Sequence, residues 1–411
     1  MMELTVDKAF MVTRKTLQTQ IKFGFLATGV MREREEGFLG KEWYKTVWDL
    51  LSDILSLRSG MKALFWIYEE EYGESFFGTY SVKAFSDHFT TFFHPKTIGN
   101  VSGINYPFRA LIEPDNVWKM VVPSDLIFSD PKFSQFLWTI ASKKSLGRGK
   151  SLVTLPPIGS KIMAEAAKAV ENYVEKNEFW TKEEVTIDLP IETEEYPKDE
   201  SLVELSDRWF SQVLEENDAN NNPNLVKKIP RSPGELDIFK LPSKRGNEVL
   251  VEKVLEAWLS LNADRDLNLK KMLELKDLVW FSNYIPCTVS GANADFLLLG
   301  KSPDGLKLCI LELKKGIVRK NELVTALQEL RRYSYIFSTL IDLNLSRTDL
   351  HQKINVQPIL VAKDIKGNIS ANVLNKFRHT IGNVPMLLKY DILDGKIEFS
   401  ELKISSSKSL F

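Results

Sequence analysis

Hydrophobic positions along this chain change their spacing several times, and each change predicts a change of element. From Trp43 to Leu57 they recur three and four apart, at Val47, Leu50, Leu51, Ile54 and Leu55, which predicts a helix with one buried face. Ala63–Tyr68 is a short aromatic-rich apolar run, and Ser75–Val82 flanks Gly78; both read as strands. Phe108–Glu113 reads as another, followed by the apolar segment Trp118–Val122, and a helix over Ile158–Val174 closes the region.

The texture then turns polar. Glu192–Glu204 is crowded with acids, Asn217–Asn224 breaks helices, and Pro230, Pro233 and Pro242 punctuate the next stretch. One short helix fits near Ser201–Leu214, so residues 178–245 are expected to form an acidic linker. After Gly246 the periodicity returns. A helix over Glu248–Leu261 turns Val251, Leu255, Trp258 and Leu259 to one side. Strands are predicted at Leu278–Val289, Asp295–Leu299 and Leu306–Leu313, then a long helix at Lys320–Ile341. A strand at Val356–Ala362, a helix at Ala371–His379 and strands at Leu387–Ile392 and Lys396–Ile404 complete the pattern. The fold class expected is mixed α/β (α+β), with a first domain at 1–177 and a last one at 246–411.

Composition narrows the function classes. No apolar run approaches the ~18 residues of a membrane span, and the first residues lack the pattern of an export signal. Two cysteines exclude a disulfide framework and a cysteine-based zinc site. A cytoplasmic protein is expected. The formal net charge of −1 argues against an indiscriminate nucleic-acid coat. That average hides a segregation, because residues 178–245 hold 9 Lys or Arg against 16 Asp or Glu, which leaves the two flanking lobes mildly basic.

The candidate chemistry sits in one hairpin. Asp295-Phe-Leu-Leu-Leu and Leu306-Lys-Leu-Cys-Ile-Leu-Glu-Leu-Lys314 are joined by a Pro-Asp-Gly turn. Along the second strand Leu308, Ile310, Glu312 and Lys314 share one face, while Cys309, Leu311 and Leu313 share the other. A strand apolar on both faces is a covered, central one, so two charges at its end need a reason. If the chain folds on Pro303-Asp304, Asp295 lies across from Glu312, with Cβ atoms about 4.5–5.5 Å apart. If instead a bulge forms at Gly305, the register shifts by one and Asp295 faces away. Two carboxylates that close repel unless a cation lies between them, and hard oxygen donors suit Mg²⁺ or Mn²⁺. Lys314 stands where it could orient a water and stabilise charge on a phosphoryl group. The preceding helix offers Glu248, Glu252 and Glu256, and the following one Gln328, Arg331 and Arg332.

This order of elements resembles the PD-(D/E)XK nuclease superfamily, and more narrowly the NucS/EndoMS-like endonucleases. The matching residues are Gly291-Ala-Asn-Ala-Asp295-Phe-Leu-Leu and Glu312-Leu-Lys-Lys-Gly316. The resemblance spans about Glu248–Ile404 and implies a restriction-endonuclease-like αβββαβ core. It makes Asp295 and Glu312 metal ligands, with Glu252 as the first-helix acid and Glu248 as its competitor, and Lys314 the catalytic lysine. Ala294 stands in place of the signature proline. Gln328 is the expected catalytic glutamine, although Gln328-Glu-Leu-Arg-Arg-Tyr333 is one residue longer than the family's Gln-x-x-x-Tyr. Lys315, Arg319, Arg331 and Arg332 are candidate contacts to a nucleic-acid backbone.

The first domain resembles, more distantly, the PUA-like EVE/YTH superfamily of modified-base readers. That likeness rests on Trp43 and Trp48, Ala63-Leu-Phe-Trp-Ile-Tyr68, Ser75-Phe-Phe-Gly-Thr-Tyr80, Tyr106-Pro-Phe-Arg-Ala-Leu111 and Gly147-Arg-Gly-Lys-Ser-Leu-Val-Thr-Leu155. It implies a β-barrel with helices in which Trp43, Trp48 and Trp66 wall a base pocket, while Arg109, Lys143, Lys144, Arg148 and Lys150 meet phosphates. The function expected is a Mg²⁺-dependent DNA endonuclease directed to a modified base, as in modification-dependent restriction, leaving a 5′-phosphate. A mismatch- or structure-specific repair endonuclease and a non-catalytic nucleic-acid reader are the alternatives, and a homodimer is compatible with each.

Overall fold

A computed structural model gives the architecture of two compact units, Met1–Ser206 with Val226–Pro242 and Asp207–Leu225 with Ser243–Phe411. It describes residues 8–13, 20, 24–28, 31–32, 51–69, 73–84, 90–93, 104–105, 108–123 and 152–154 of the first. In the second it describes 247–286, 293–314, 316–345, 354–367, 369–393 and 396–402. The helix expected at Ile158–Val174 and the linker at 178–245 lie outside these residues. Helices and strands are mixed in an α+β architecture, the class the sequence pattern predicts.

In the first unit, strands β1 (Lys8–Thr13), β2 (Phe25–Thr28), β3 (Met31–Arg32), β4 (Lys62–Glu69), β5 (Gly73–Val82), β6 (Thr91–Phe93), β7 (Ile104–Asn105), β8 (Phe108–Pro123) and β9 (Leu152–Thr154) are described. The main sheet has the order β2-β8-β5-β4-β1-β9, with β6 also on β8, and it is mixed because β1 runs parallel to β4. The two apolar segments expected separately at Phe108–Glu113 and Trp118–Val122 are one long strand. Register shifts where it pairs with β5, and such bulges let a strand bend. Residues 51–55 are helical, and Leu51, Ile54 and Leu55 are buried as the helical spacing requires. Phe10, Phe65 and Tyr80 form an edge-to-face series in the core, with ring centroids 5.6 and 5.1 Å apart. Strand β1 was not legible in the sequence. Its buried Lys8 donates to Ser56 Oγ at 3.0 Å, so a charged residue occupies an interior position.

The second unit is a six-stranded sheet of order β10-β11-β12-β14-β16-β17. Its strands are β10 (Asp277–Pro286), β11 (Asn293–Ser302), β12 (Gly305–Leu313), β14 (Ile354–Ala362), β16 (Met386–Leu393) and β17 (Lys396–Glu401). A small pair, β13 (Ile317–Arg319) and β15 (Asp364–Lys366), stands apart from it. The helices are α1 (Asn247–Asn262), α2 (Leu267–Met272), α3 (Lys320–Leu345) and α4 (Ala371–Ile381). Strands β12 and β14, and β14 and β16, run parallel, while the two flanking hairpins are antiparallel. Helix α1 lies against β10–β12, and α3 against β14, β12 and β11. Seven consecutive residues of β12, Lys307–Leu313, are buried, so both alternating sets of its side chains are covered. Lys307 is admitted there by an ion pair of 2.9 Å to Glu274.

The β11–β12 turn decides the site's register. Pro303 and Asp304 form a two-residue turn, Gly305 takes φ 119°, and Ser302 pairs with Gly305. Glycine is suited to that left-handed φ, and Ser302 Oγ donates to Gly305 O at 2.9 Å. Pairing continues without a shift to Phe296 and Leu311. The bulged alternative is therefore not the one adopted.

Candidate active site

One step beyond the Phe296–Leu311 pair, Asp295 and Glu312 stand together at the open end of the hairpin. Asp295 turns its carboxylate back on the neighbouring strand, where Oδ2 accepts the Leu313 N–H at 2.8 Å. Leu313 also pairs with Val361 of β14, and the Lys314 N–H donates to Val361 O at 2.8 Å, so the β14 backbone on one side and the Asp295 carboxylate on the other hold the segment 312–314. Glu312 is buried, and its Oε1 accepts from Lys314 Nζ at 2.6 Å. Its other oxygen, Oε2, is buried without a hydrogen-bond partner.

Burial is the largest influence on both acids. It raises Asp295 to about 6 against the Leu313 N–H and the charges of Lys253 and Lys314, which lower it, while Glu256 adds to the rise. Burial likewise holds Glu312 well above the ordinary glutamate range; the Asp295 and Glu329 charges push further, and Lys314 opposes them. Burial lowers Lys314, but Glu312, Asp295 and Glu252 outweigh it and leave the ammonium more firmly protonated than a free lysine. Two adjacent acids, Glu312 buried with one oxygen unpartnered and Asp295 half-buried, form an arrangement that is unfavourable while both are ionised.

The surrounding helices bring some of the expected residues to the site and not others. Of the first-helix acids, Glu252 is half-buried and acts on Lys314, while Glu256 is buried, pairs with Lys253 at 2.7 Å and acts on Asp295. The Glu248 side chain lies outside the described ones. Gln328 is a correction: it is exposed, because the buried side of α3 runs through Leu323, Ala326, Leu327, Leu330, Tyr333 and Phe337. The neighbouring Glu329 reaches the site instead, with Oε2 3.8 Å from Lys314 Nζ. Sequence reasoning missed Glu329 although a signal existed, since it is Glu329, not Gln328, that precedes the buried Tyr333 by four residues.

Among the described residues, no group of three or more His, Cys, Asp or Glu side chains is set to hold a metal ion, so the expected trio of Asp295, Glu312 and Glu252 does not close into a cage. The donor set of Asp295 and Glu312 still suits a hard divalent cation, because Mg²⁺ is commonly held by one or two carboxylates with water and substrate phosphate completing its shell. The orphaned Glu312 Oε2 is the atom such an ion would satisfy.

Of the expected backbone contacts, Arg319 and Arg332 are exposed and Arg331 is half-buried, while Lys315 lies outside the described residues. Arg332 lies 5.4 Å from the centroid of the Tyr333 ring. In the first unit, Trp43, Trp48, Lys143, Lys144, Arg148 and Lys150 lie outside the described residues, and only the backbone of Trp66 is described, paired with Met11 and Phe76. Arg109 is a second correction. Its side chain is fully buried, with the guanidinium 4.4 Å from the centroid of the Phe25 ring, which leaves no exposed group for a phosphate.

No family model and no curated protein matches the chain. Rpa0253 from Rhodopseudomonas palustris, a solved structure, is similar at 11% identity over 42% of this chain and 100% of its own, with a TM-score of 0.25. Atu2648 from Agrobacterium tumefaciens is similar at 12% identity over 39% of this chain and 90% of its own, with a TM-score of 0.22. Scores this low support no argument about fold or function. Among the described residues no helix is long and apolar enough to cross a membrane.

Proposed function

We propose that this chain is a divalent-cation-dependent DNA endonuclease of the PD-(D/E)XK kind, with Asp295, Glu312 and Lys314 as its cutting centre and an N-terminal unit that selects a modified base. One observation carries the reading: two carboxylates and a lysine converge at the open end of a covered hairpin, with Glu312 Oε2 buried and unpartnered. Drawing two acids out of water side by side is costly, and a site that does so has a use for a cation or a proton.

Asp295 and Glu312 would hold Mg²⁺ or Mn²⁺, whose positive charge would assist hydrolysis at the scissile phosphate. The Leu313 N–H fixes the Asp295 carboxylate without help from solvent. Pairing with β14 holds the backbone at Glu312, and Lys314 brings a firmly protonated ammonium to the same edge, where it would donate to charge developing on the phosphoryl oxygens. Arg319, Arg331 and Arg332 would steady the flanking DNA backbone. One such centre cuts one strand, and a pair of protomers would cut both.

Nicking of supercoiled plasmid in Mg²⁺ or Mn²⁺ tests the reading. The wild-type chain is expected to nick, while Asp295→Ala and Lys314→Ala lose about 10²–10³-fold in rate. Equal cutting by wild type and Asp295→Ala would refute it. An oligonucleotide panel of methylated adenine, methylated and hydroxymethylated cytosine, mismatched and plain duplexes tests the modified-base part. Preference for mismatches over every modified base would turn the reading to repair, and selective binding without cutting would turn it to a non-catalytic reader.

A further inference from the structure

We infer that Glu329 is a positioning residue for Lys314: it provides a second seat for the ammonium, which Lys314 takes when a divalent cation takes over Glu312. The inference rests on the proposed cation site and goes beyond it by assigning a rearrangement to a residue outside the Asp295, Glu312 and Lys314 set.

Lys314 Nζ lies between two carboxylates, 2.6 Å from Glu312 Oε1 and 3.8 Å from Glu329 Oε2. The Glu312 side chain is almost fully enclosed, whereas that of Glu329 is 36% exposed, so the nearer partner is the buried one. In this state the ammonium is the counter-charge for Glu312. A divalent ion arriving at the same carboxylate brings a second positive centre within a few ångströms of the first, in surroundings that screen charge poorly. An ion on Oε2 would repel the ammonium held on Oε1 of the same carboxylate, and the flexible four-carbon stem of lysine lets its charged end move while its backbone stays put. Glu329 offers the displaced charge a carboxylate within 4 Å. Without it, Lys314 would either stay and compete with the cation or lose its ion pair to water. Helix α3 presents Glu329 at the edge of its buried side, where its carboxylate is partly exposed and still reaches inward to Lys314.

Calorimetric titration of MgCl₂ and MnCl₂ into the full chain tests this with Glu329→Gln, Lys314→Met and the double variant, and Glu312→Gln marks the site. Glutamine keeps the size and an acceptor oxygen of Glu329 but removes its charge. Glu329→Gln is expected to weaken cation binding about fivefold, and Lys314→Met to tighten it. In the Lys314→Met background the Glu329→Gln change is expected to have less than about a twofold effect, because no ammonium remains to be seated. An unchanged Kd in Glu329→Gln, or an equal loss with and without Lys314, would overturn the inference and leave the cation site standing. Failure of the wild-type chain to bind either cation, or equal binding by Glu312→Gln, would remove the cation site itself and this inference with it.

Discussion

Replacing Asp295 by asparagine should make the protein more stable, and the size of the gain can be worked from the site. Burial raises Asp295 from 3.8 to about 6, so the folded chain holds this proton more tightly than the unfolded chain. Well below pH 3.8 both states carry the proton and the residue contributes no penalty. Between pH 3.8 and about 6 the unfolded state releases its proton first, so stability falls as pH rises, and above that the full cost is present. At 1.36 kcal/mol per pH unit the gap corresponds to about 3 kcal/mol, and because the Asp295 side chain is half-buried, not enclosed like Glu312, solvent screening reduces this to about 2 kcal/mol. Asparagine keeps an acceptor oxygen for the Leu313 N–H, so the substitution removes the charge while sparing the hydrogen bond. It also relieves the repulsion on Glu312. For a domain of this size, about 2 kcal/mol moves a melting midpoint by roughly 4–8 °C. Scanning calorimetry of the full chain in EDTA, from pH 4 to pH 8, measures it. The difference between Asp295→Asn and wild type should be smallest at pH 4, roughly a fifth of its full value, and reach that full value above pH 6. A variant that melts at or below wild type at pH 7.5 would refute the argument, because the aspartate would then be gaining more from its surroundings than burial takes away.

Two further outcomes concern the sheet around the site. A Cβ on Gly300 would come within 2.7 Å of Asp277 O, a backbone atom with little freedom to retreat, so Gly300→Ala should lower stability by about 1–3 kcal/mol in urea denaturation. Cys309 is buried on the covered strand and its thiol is pushed up to about 12, so iodoacetamide at pH 8 should leave it unlabelled in the native chain and label it fully in urea.

What was legible in the sequence was mostly local. The Pro-Asp-Gly turn, two apolar runs and period-two alternation together specified the β11–β12 hairpin, and the position of Asp295 beside Glu312 came from counting back along it. Strand β1 escaped because its pairing partners are distant: Lys8–Phe10 pair with residues 63–65 and 152–154, and the buried lysine breaks the apolar pattern. Arg109 misled for the opposite reason. Arginine is ordinarily exposed, and nothing near it in the chain announces Phe25, whose ring its guanidinium meets from the neighbouring strand, two residues away from its ladder partner Ala27. Gln328 misled through helical phase. The stripe of Leu323, Leu327, Leu330 and Tyr333 sets Gln328 on nearly the opposite side of α3 and Glu329 at the margin, a distinction of one residue that a motif match overrides and an angular count recovers.

The Ser302–Gly305 turn and the Asp295–Glu312 end lie at opposite extremities of one hairpin. Seven residues separate Asp295 from Ser302, about 24 Å at the rise of an antiparallel strand. Lengthening the loop at Asp304 would therefore alter the chain far from the acids while the intervening ladder holds their spacing. The architecture leaves that loop open to tags, fluorophores or evolutionary insertions, and it explains why the stretch between the two acids can be long without pulling them apart.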